Sequence, residues 1–223
     1  MSEISVQHKD VIAKLAAASK RGGMSAPADL VAVSKVQPDD RIAAMLETGQ
    51  RVFGENRVQE AQKRWGDTFA AHRDNLELRL IGPLQTNKAA DAVALFDVIE
   101  TVDREKLLKA LVKAVGDSGK MPRLYVQVNT GEEPQKSGVL PAELPGFLKL
   151  MRETYDLEPE GLMCIPPAGE AASPHFWLLS NLAKANDVEK LSMGMSGDYE
   201  IAAEMGSTSV RVGSALFGER DYT

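Results

Sequence analysis

Lys35 ends the apolar run LVAVSK, and Pro38 stands three positions beyond it. An ammonium group at the end of a buried strand has two readings. Its stem can lie over apolar neighbours with the head in water. Alternatively the amine is kept partly dry, which lowers its pKa and frees the lone pair to attack a carbonyl. That is what a Schiff-base lysine requires. A second set of chemically capable residues lies in LSMGMSGDYEIAAEMGSTSVRVGSALFGER, near the other end of the sequence. Ser196 can open a helix that closes at Gly206, and the N–H groups at such a start favour an anion. Gly213 and Ser214 follow a later strand, where a glycine lets a ligand approach the backbone closely. A serine cap and a turn glycine explain the same residues without a ligand. Arg211 shares a strand face with Ser209 and Gly213, opposite Val210 and Val212. It points either outward to a helix carboxylate or inward to a ligand. Asn56 is similarly open, since helix capping accounts for it.

Bringing Lys35 and these distant residues together requires a particular arrangement of elements. Eight short, mostly apolar segments read as strands buried on both faces: 30–34, 51–55, 78–82, 98–102, 124–129, 161–165, 190–195 and 209–213. Between them lie stretches of helical period. PDDRIAAMLETGQ has Pro38 and two aspartates in its first turn and ends on Gly49. NRVQEAQKRW opens with Asn56 as N-cap and Gln59 three residues later. DREKLLKALVKAVG, PAELPGFLKLMRETY and SPHFWLLSNLAKAND follow, and residues 4–18 form a further helix before the first strand. Alternation of this kind means parallel pairing with right-handed crossovers. The predicted fold class is α/β, a single (β/α)8 TIM barrel with an extra N-terminal helix, occupying residues 1–223 as one domain. A doubly wound open sheet is the competitor, but no G-x-G-x-x-G follows a strand. In a barrel, Lys35, Asn56, Ser196, Gly213 and Ser214 all fall at C-terminal strand ends, where functional groups gather. The loops after strands seven and eight are the frequent phosphate site of this fold.

Composition narrows the function. The 223 residues are 43% hydrophobic and 26% charged, with a formal net charge of −6. An acidic chain lacks the basic face that general nucleic-acid binding needs. Cys164 is the one cysteine, so neither an internal disulfide nor a cysteine-built zinc site is expected, and a reducing compartment is. No secretory signal core and no membrane-spanning run is read in the sequence. The expectation is a soluble cytoplasmic protein, monomeric because no exposed apolar stripe argues for an obligate dimer. In the loop GEEPQKSG, Glu133 and Lys136 read as a solvated pair.

An amine nucleophile and a phosphate anchor at one rim together suggest pyridoxal phosphate. Six collinear blocks sharpen this: AVSKVQP, FGENRVQEA, LIGPLQTNK, VQVNTGEEPQKSG, GLMCIPP and LSMGMSGDYEIAAEMGSTSVRVGSALFG. In them the chain resembles the pyridoxal phosphate homeostasis proteins, whose fold-type III barrel is similar to the N-terminal domain of alanine racemase. The resemblance implies that Lys35 holds pyridoxal 5'-phosphate as a Schiff base. It implies that Ser196, Gly213 and Ser214 hold the phosphate, that Arg211 faces the pyridine nitrogen, and that Asn56 and Met193 line the cofactor face. Where the family commonly has Trp-His-Phe before IGxLQ, this chain has Leu78, Arg79 and Leu80, so the contact of that histidine is not carried over. An arginine at the pyridine nitrogen disfavours its protonation and makes the ring a poorer electron sink. Racemases of this type carry an added β domain. Here the sequence stops ten residues after Gly213, and of four tyrosines only Tyr222 lies close in sequence to the expected phosphate loop. The expected function is therefore intracellular PLP (vitamin B6) homeostasis without substrate turnover, with PLP-dependent apo-enzymes as candidate recipients. The alternatives are a weak PLP-dependent amino-acid racemase and a barrel phosphate-binder in which Lys35 is a charge clamp.

Overall fold

The computed structural model describes residues 2–218. Eight parallel strands close into a barrel in sequence order: β1 (Asp29–Val33), β2 (Val52–Glu55), β3 (Glu77–Leu80), β4 (Val98–Val102), β5 (Arg123–Val128), β6 (Gly161–Cys164), β7 (Lys190–Ser192) and β8 (Ser209–Val212). Closure comes from β8 pairing with β1, Leu30 opposite Val210 and Ala32 opposite Val212. The predicted (β/α)8 barrel is what forms, and it leaves no open sheet edge.

The extra N-terminal helix, α1 (Glu3–Arg21), carries Ile4, Val11, Leu15 and Ala18 inward at helical spacing, with Ser2 as its N-cap. Among the described residues eight more α-helices follow: α2 (Asp39–Glu47), α3 (Val58–Ala61), α4 (Ala89–Leu95), α5 (Glu105–Ser118), α6 (Leu144–Tyr155), α7 (Ala172–Ala185), α8 (Tyr199–Glu204) and α9 (Ser214–Phe217). The second predicted helix differs from expectation. Asn56 does not cap it; α3 starts at Val58, lasts one turn and passes into a π-helical turn, Gln62–Thr68.

Strand alternation divides the interior into two layers. Leu30, Ala32, Phe53, Leu78, Leu80, Leu124, Val126, Leu162, Leu191, Val210 and Val212 face the helices in the main core. Each fully buried side chain of this type stabilises by about 1.5–3 kcal/mol. Val98, Tyr125 and Met163 form a small separate cluster with Ile165, and the alternate positions around them hold buried charges. The barrel is thus a packed body with a polar floor, and its free space lies at the C-terminal rim.

Candidate functional site

At that rim a cavity of about 280 Å³ is lined by Val33, Lys35, Asn56, Ile81, Ile165, Met195, Ser196, Gly197, Arg211, Gly213 and Ser214. Six of the seven residues singled out from the sequence meet here: Lys35, Asn56, Ser196, Arg211, Gly213 and Ser214. They come from the ends of β1, β2, β7 and β8, which only closure of the barrel makes neighbours.

Met193 is the exception. It is fully buried in the main core and does not line the cavity, because β7 turns Leu191 and Met193 toward the helices and Ser192 inward. Gly194, at φ 96°, then breaks the extended path. The strand ends at Ser192 instead of running on to 195, and Met195 reaches the cavity wall.

Lys35 is half-buried and sits in a turn held from several sides. The Gln37 N–H donates to the Ser34 carbonyl at 3.1 Å, closing a four-residue turn around Lys35 and Val36. Val36 has φ 56°, which a type II turn requires at its third position and which normally selects glycine or asparagine. A β-branched residue there is strained. Arg64 offsets that strain by donating to the carbonyls on both sides of the pair, Ser34 O at 2.8 Å and Gln37 O at 2.8 Å. Glu55, fully buried, anchors Arg64 through Oε1 at 2.8 Å and also accepts from Ser34 Oγ at 2.7 Å and Trp65 Nε1 at 3.1 Å. Its Oε2 is buried with no hydrogen-bond partner. The π-helical turn supplies both Arg64 and Trp65 to this carboxylate, and Trp65 is packed between Phe53 and Phe69. Such turns are often found at functional sites.

Across the cavity, Ser196 does not cap a helix as expected. Asp198 precedes α8, and its Oδ1 takes the Met195 N–H at 2.6 Å. The Ser196 hydroxyl instead accepts from the Gly213 N–H at 3.1 Å and the Ala215 N–H at 3.3 Å, tying the β7 loop to the β8 loop. Gly213 has φ −119°, open to any residue. A Cβ there would meet nothing nearer than Val33 Cβ at 3.5 Å. Protein packing does not demand this glycine; its absent side chain leaves cavity space beside the backbone.

Arg211 points inward and is 3% exposed. Its Nη1 donates to Ser192 Oγ at 2.6 Å and its Nη2 to the Cys164 carbonyl at 2.7 Å. Arg79 lies in the floor as well, paired with Glu77 at 2.6 Å and Glu100 at 3.1 Å, and is not on the cavity wall. Burial pushes its guanidinium pKa down, but the two carboxylates more than offset this and the net shift is upward. Burial pushes the Cys164 thiol up to about 12. Sequence reasoning missed Glu55, Arg64, Glu100 and Ser192. The first two lie in the quoted block FGENRVQEA and just after it, whereas nothing local marks a contact between β4 and β7. Tyr222 lies outside the described residues.

Known proteins share this sequence pattern and this fold. The model of the family "Alanine racemase, N-terminal domain" matches residues 12–221. A pyridoxal phosphate homeostasis protein of Vibrio cholerae is 38% identical over 100% of this chain and 99% of its own length; that of Escherichia coli is 35% identical over the same shares. The structure of PipY from Synechococcus elongatus with PLP bound is 34% identical, with a TM-score of 0.81 over 97% of this chain and 100% of its own. An alanine racemase from Bartonella henselae shares the fold at a TM-score of 0.73 and 17% identity, this chain covering 58% of it. The chain belongs to the alanine racemase N-terminal domain family and, within it, to the pyridoxal phosphate homeostasis proteins.

Proposed function

We propose that the chain binds pyridoxal 5'-phosphate in this cavity and takes part in vitamin B6 homeostasis, holding the cofactor without turning over a substrate. The observation that carries the reading is the convergence of Lys35, Arg211, Ser196 and Ser214 on one cavity of about 280 Å³. The donor set suits the group. Two hydroxyls and the open backbone at Gly213 fit a phosphate, the Lys35 amine fits an aldehyde, the Arg211 N–H groups fit a ring nitrogen's lone pair, and the apolar walls Val33, Ile81, Ile165 and Met195 fit a flat ring. When bound, the cofactor supplies an aldehyde that reacts with amines and a ring that can withdraw electrons. Lys35 is the amine that would anchor it, Ser196 and Ser214 with the Gly213 loop would hold its phosphate, and Arg211 would stand at the ring nitrogen. Asn56 would bound the cofactor face. Holding is favoured over turnover because, among the described residues, the lining contains no tyrosine, histidine or carboxylate that could serve as a second acid or base opposite Lys35.

The test is borohydride reduction of protein loaded with PLP, followed by peptide mass spectrometry. A pyridoxyl adduct on Lys35, lost in Lys35→Ala, supports the reading; an adduct elsewhere only, or none, refutes it. Exchange of an amino acid's α-hydrogen in heavy water would favour the racemase alternative. A cytoplasmic location, a monomeric state and delivery to PLP-dependent apo-enzymes belong to the same proposal. Among the described residues no helix is long and apolar enough to cross a membrane.

A further inference from the structure

Beneath the cavity lies a group of charges that anchoring a cofactor does not by itself require. Arg79, Glu100 and Arg211 are at most 4% exposed and come from β3, β4 and β8. Glu100 stands between the two arginines. Its Oε1 accepts from Arg79 Nη1 at 3.1 Å and its Oε2 from Ser192 Oγ at 2.6 Å. The single hydroxyl proton of Ser192 goes to Glu100, so its lone pair takes the Arg211 N–H at 2.6 Å. That polarity is fixed, since a guanidinium only donates. Arg79 has a second carboxylate in Glu77 at 2.6 Å. Arg211 is less well matched: Glu100 Oε2 stands 3.9 Å away, and the link between them runs through one hydroxyl.

We propose that Glu100, acting through Ser192, is a positioning residue that holds Arg211 in place and sets the positive charge it presents at the cavity, with Arg79 as the competing counter-ion. This rests on the PLP reading above and deepens it, because it names the residues that set how strongly Arg211 opposes protonation of the ring nitrogen. Charges in a buried floor are poorly screened. Removing the Glu100 charge leaves two arginines facing each other, which opposes ring protonation further. Removing the Arg79 charge leaves Glu100 to Arg211 alone, which favours ring protonation. Opposite signs from two neighbouring substitutions are what simple loosening of the floor cannot produce. The other titratable or charged groups nearby are Lys35 on the cavity wall, Glu77 and Arg123 at the base, Tyr125 beside Arg79, and Cys164, whose thiol feels both Arg211 and Asp198. All are shared by every variant compared.

The experiment loads the full chain with PLP carrying 15N in the ring, follows the ring resonance against pH, and measures PLP affinity by titration. Arg79→Met is expected to raise the pH of ring protonation by about one unit, a tenfold change in the protonation constant. Glu100→Gln is expected to lower it or to abolish ring protonation over the range in which the protein stays folded. Ser192→Ala keeps every charge and removes the bridge; PLP affinity is expected to fall about tenfold, with recovery in Ser192→Thr. A purely structural role would lower the melting temperature but leave affinity and ring titration of the folded protein unchanged. Shifts of the same sign in Arg79→Met and Glu100→Gln overturn the proposal, as does unchanged affinity in Ser192→Ala. Where a charge variant fails to fold, the two Ser192 variants decide. A wild type with no pyridoxyl adduct on Lys35 overturns the site reading and this inference with it. A labelled wild type with unresponsive variants overturns this inference alone.

Discussion

Val36→Gly tests whether the turn carrying Lys35 is strained. A non-glycine residue held in the left-handed region costs about 1–3 kcal/mol, and a β-branched one lies toward the upper end. Glycine removes that cost but gains unfolded-state entropy of about 0.4–1 kcal/mol. The valine side chain is 66% exposed, so only about a third of its burial energy, roughly 0.5–1 kcal/mol, is lost with it. The balance is a stabilisation of about 0.5 kcal/mol, where an ordinary exposed Val→Gly destabilises. Val36→Ala separates the contributions: it loses most of the same packing but keeps the Cβ, and with it the strain that any non-glycine residue bears there. The Gly variant should therefore exceed the Ala variant by about 1 kcal/mol, or about 2–4 °C in melting temperature for a chain of this size. Differential scanning calorimetry of the two variants gives the comparison directly. If Val36→Gly is less stable than Val36→Ala, the turn is not strained and Arg64 is not offsetting anything there.

Arg64→Met strands the buried Glu55 carboxylate, whose Oε2 already has no partner; a loss of about 3–5 kcal/mol is expected by urea denaturation, together with weaker PLP binding. Ser196→Ala removes the acceptor shared by the Gly213 and Ala215 N–H groups, and PLP titration should show an affinity loss while the melting temperature of the ligand-free protein falls by only a few degrees. Acid stability should depend on Asp97: burial raises its pKa, but hydrogen bonds from Arg73 and the Leu78 N–H with the Arg73 and Lys120 charges outweigh this and leave it lowered. A lowered carboxylate contributes stability above its unfolded pKa of about 4 and loses it as pH falls through the folded value. Urea midpoints taken from pH 7 down to 3 should therefore fall more steeply in the wild type than in Asp97→Asn. Burial pushes the Cys164 thiol up to about 12, so its labelling by a thiol reagent at pH 8 should proceed at the rate of opening, measured in parallel by hydrogen exchange.

The barrel was readable because both its signals are local. Eight apolar runs mark strands buried on two faces, and turn residues punctuate them at each rim. The positions of Lys35, Ser196, Gly213 and Ser214 follow once closure is assumed. Whether Arg211 points inward did not follow, since alternation fixes which residues share its face but not which face looks into the barrel. Met193 was misplaced for a related reason: the resemblance assigned it to the cofactor, while the parity of β7 sends it to the helices. The strained turn escaped because positive φ at a valine contradicts its residue preference. The Glu100–Ser192 contact escaped because it joins residues 92 positions apart in sequence with no shared motif.

Three constraints on the cavity are independent of one another. Arg64 fixes the Lys35 turn from the outer layer, Ser196 ties the β7 and β8 loops, and the floor holds Arg211 through Ser192. Each uses hydrogen bonds between the protein's own groups. A site arranged this way gives up little ordering entropy on binding, which favours affinity. Moving a proton between the two faces of a substrate needs an acid or base on each face. Among the described lining residues, Asn56, Ile81, Ile165 and Met195 carry no group that titrates. On the proposed reading, turns and loops tied in this way around Lys35 are what a protein would need if its task is to hold the cofactor and release it unchanged.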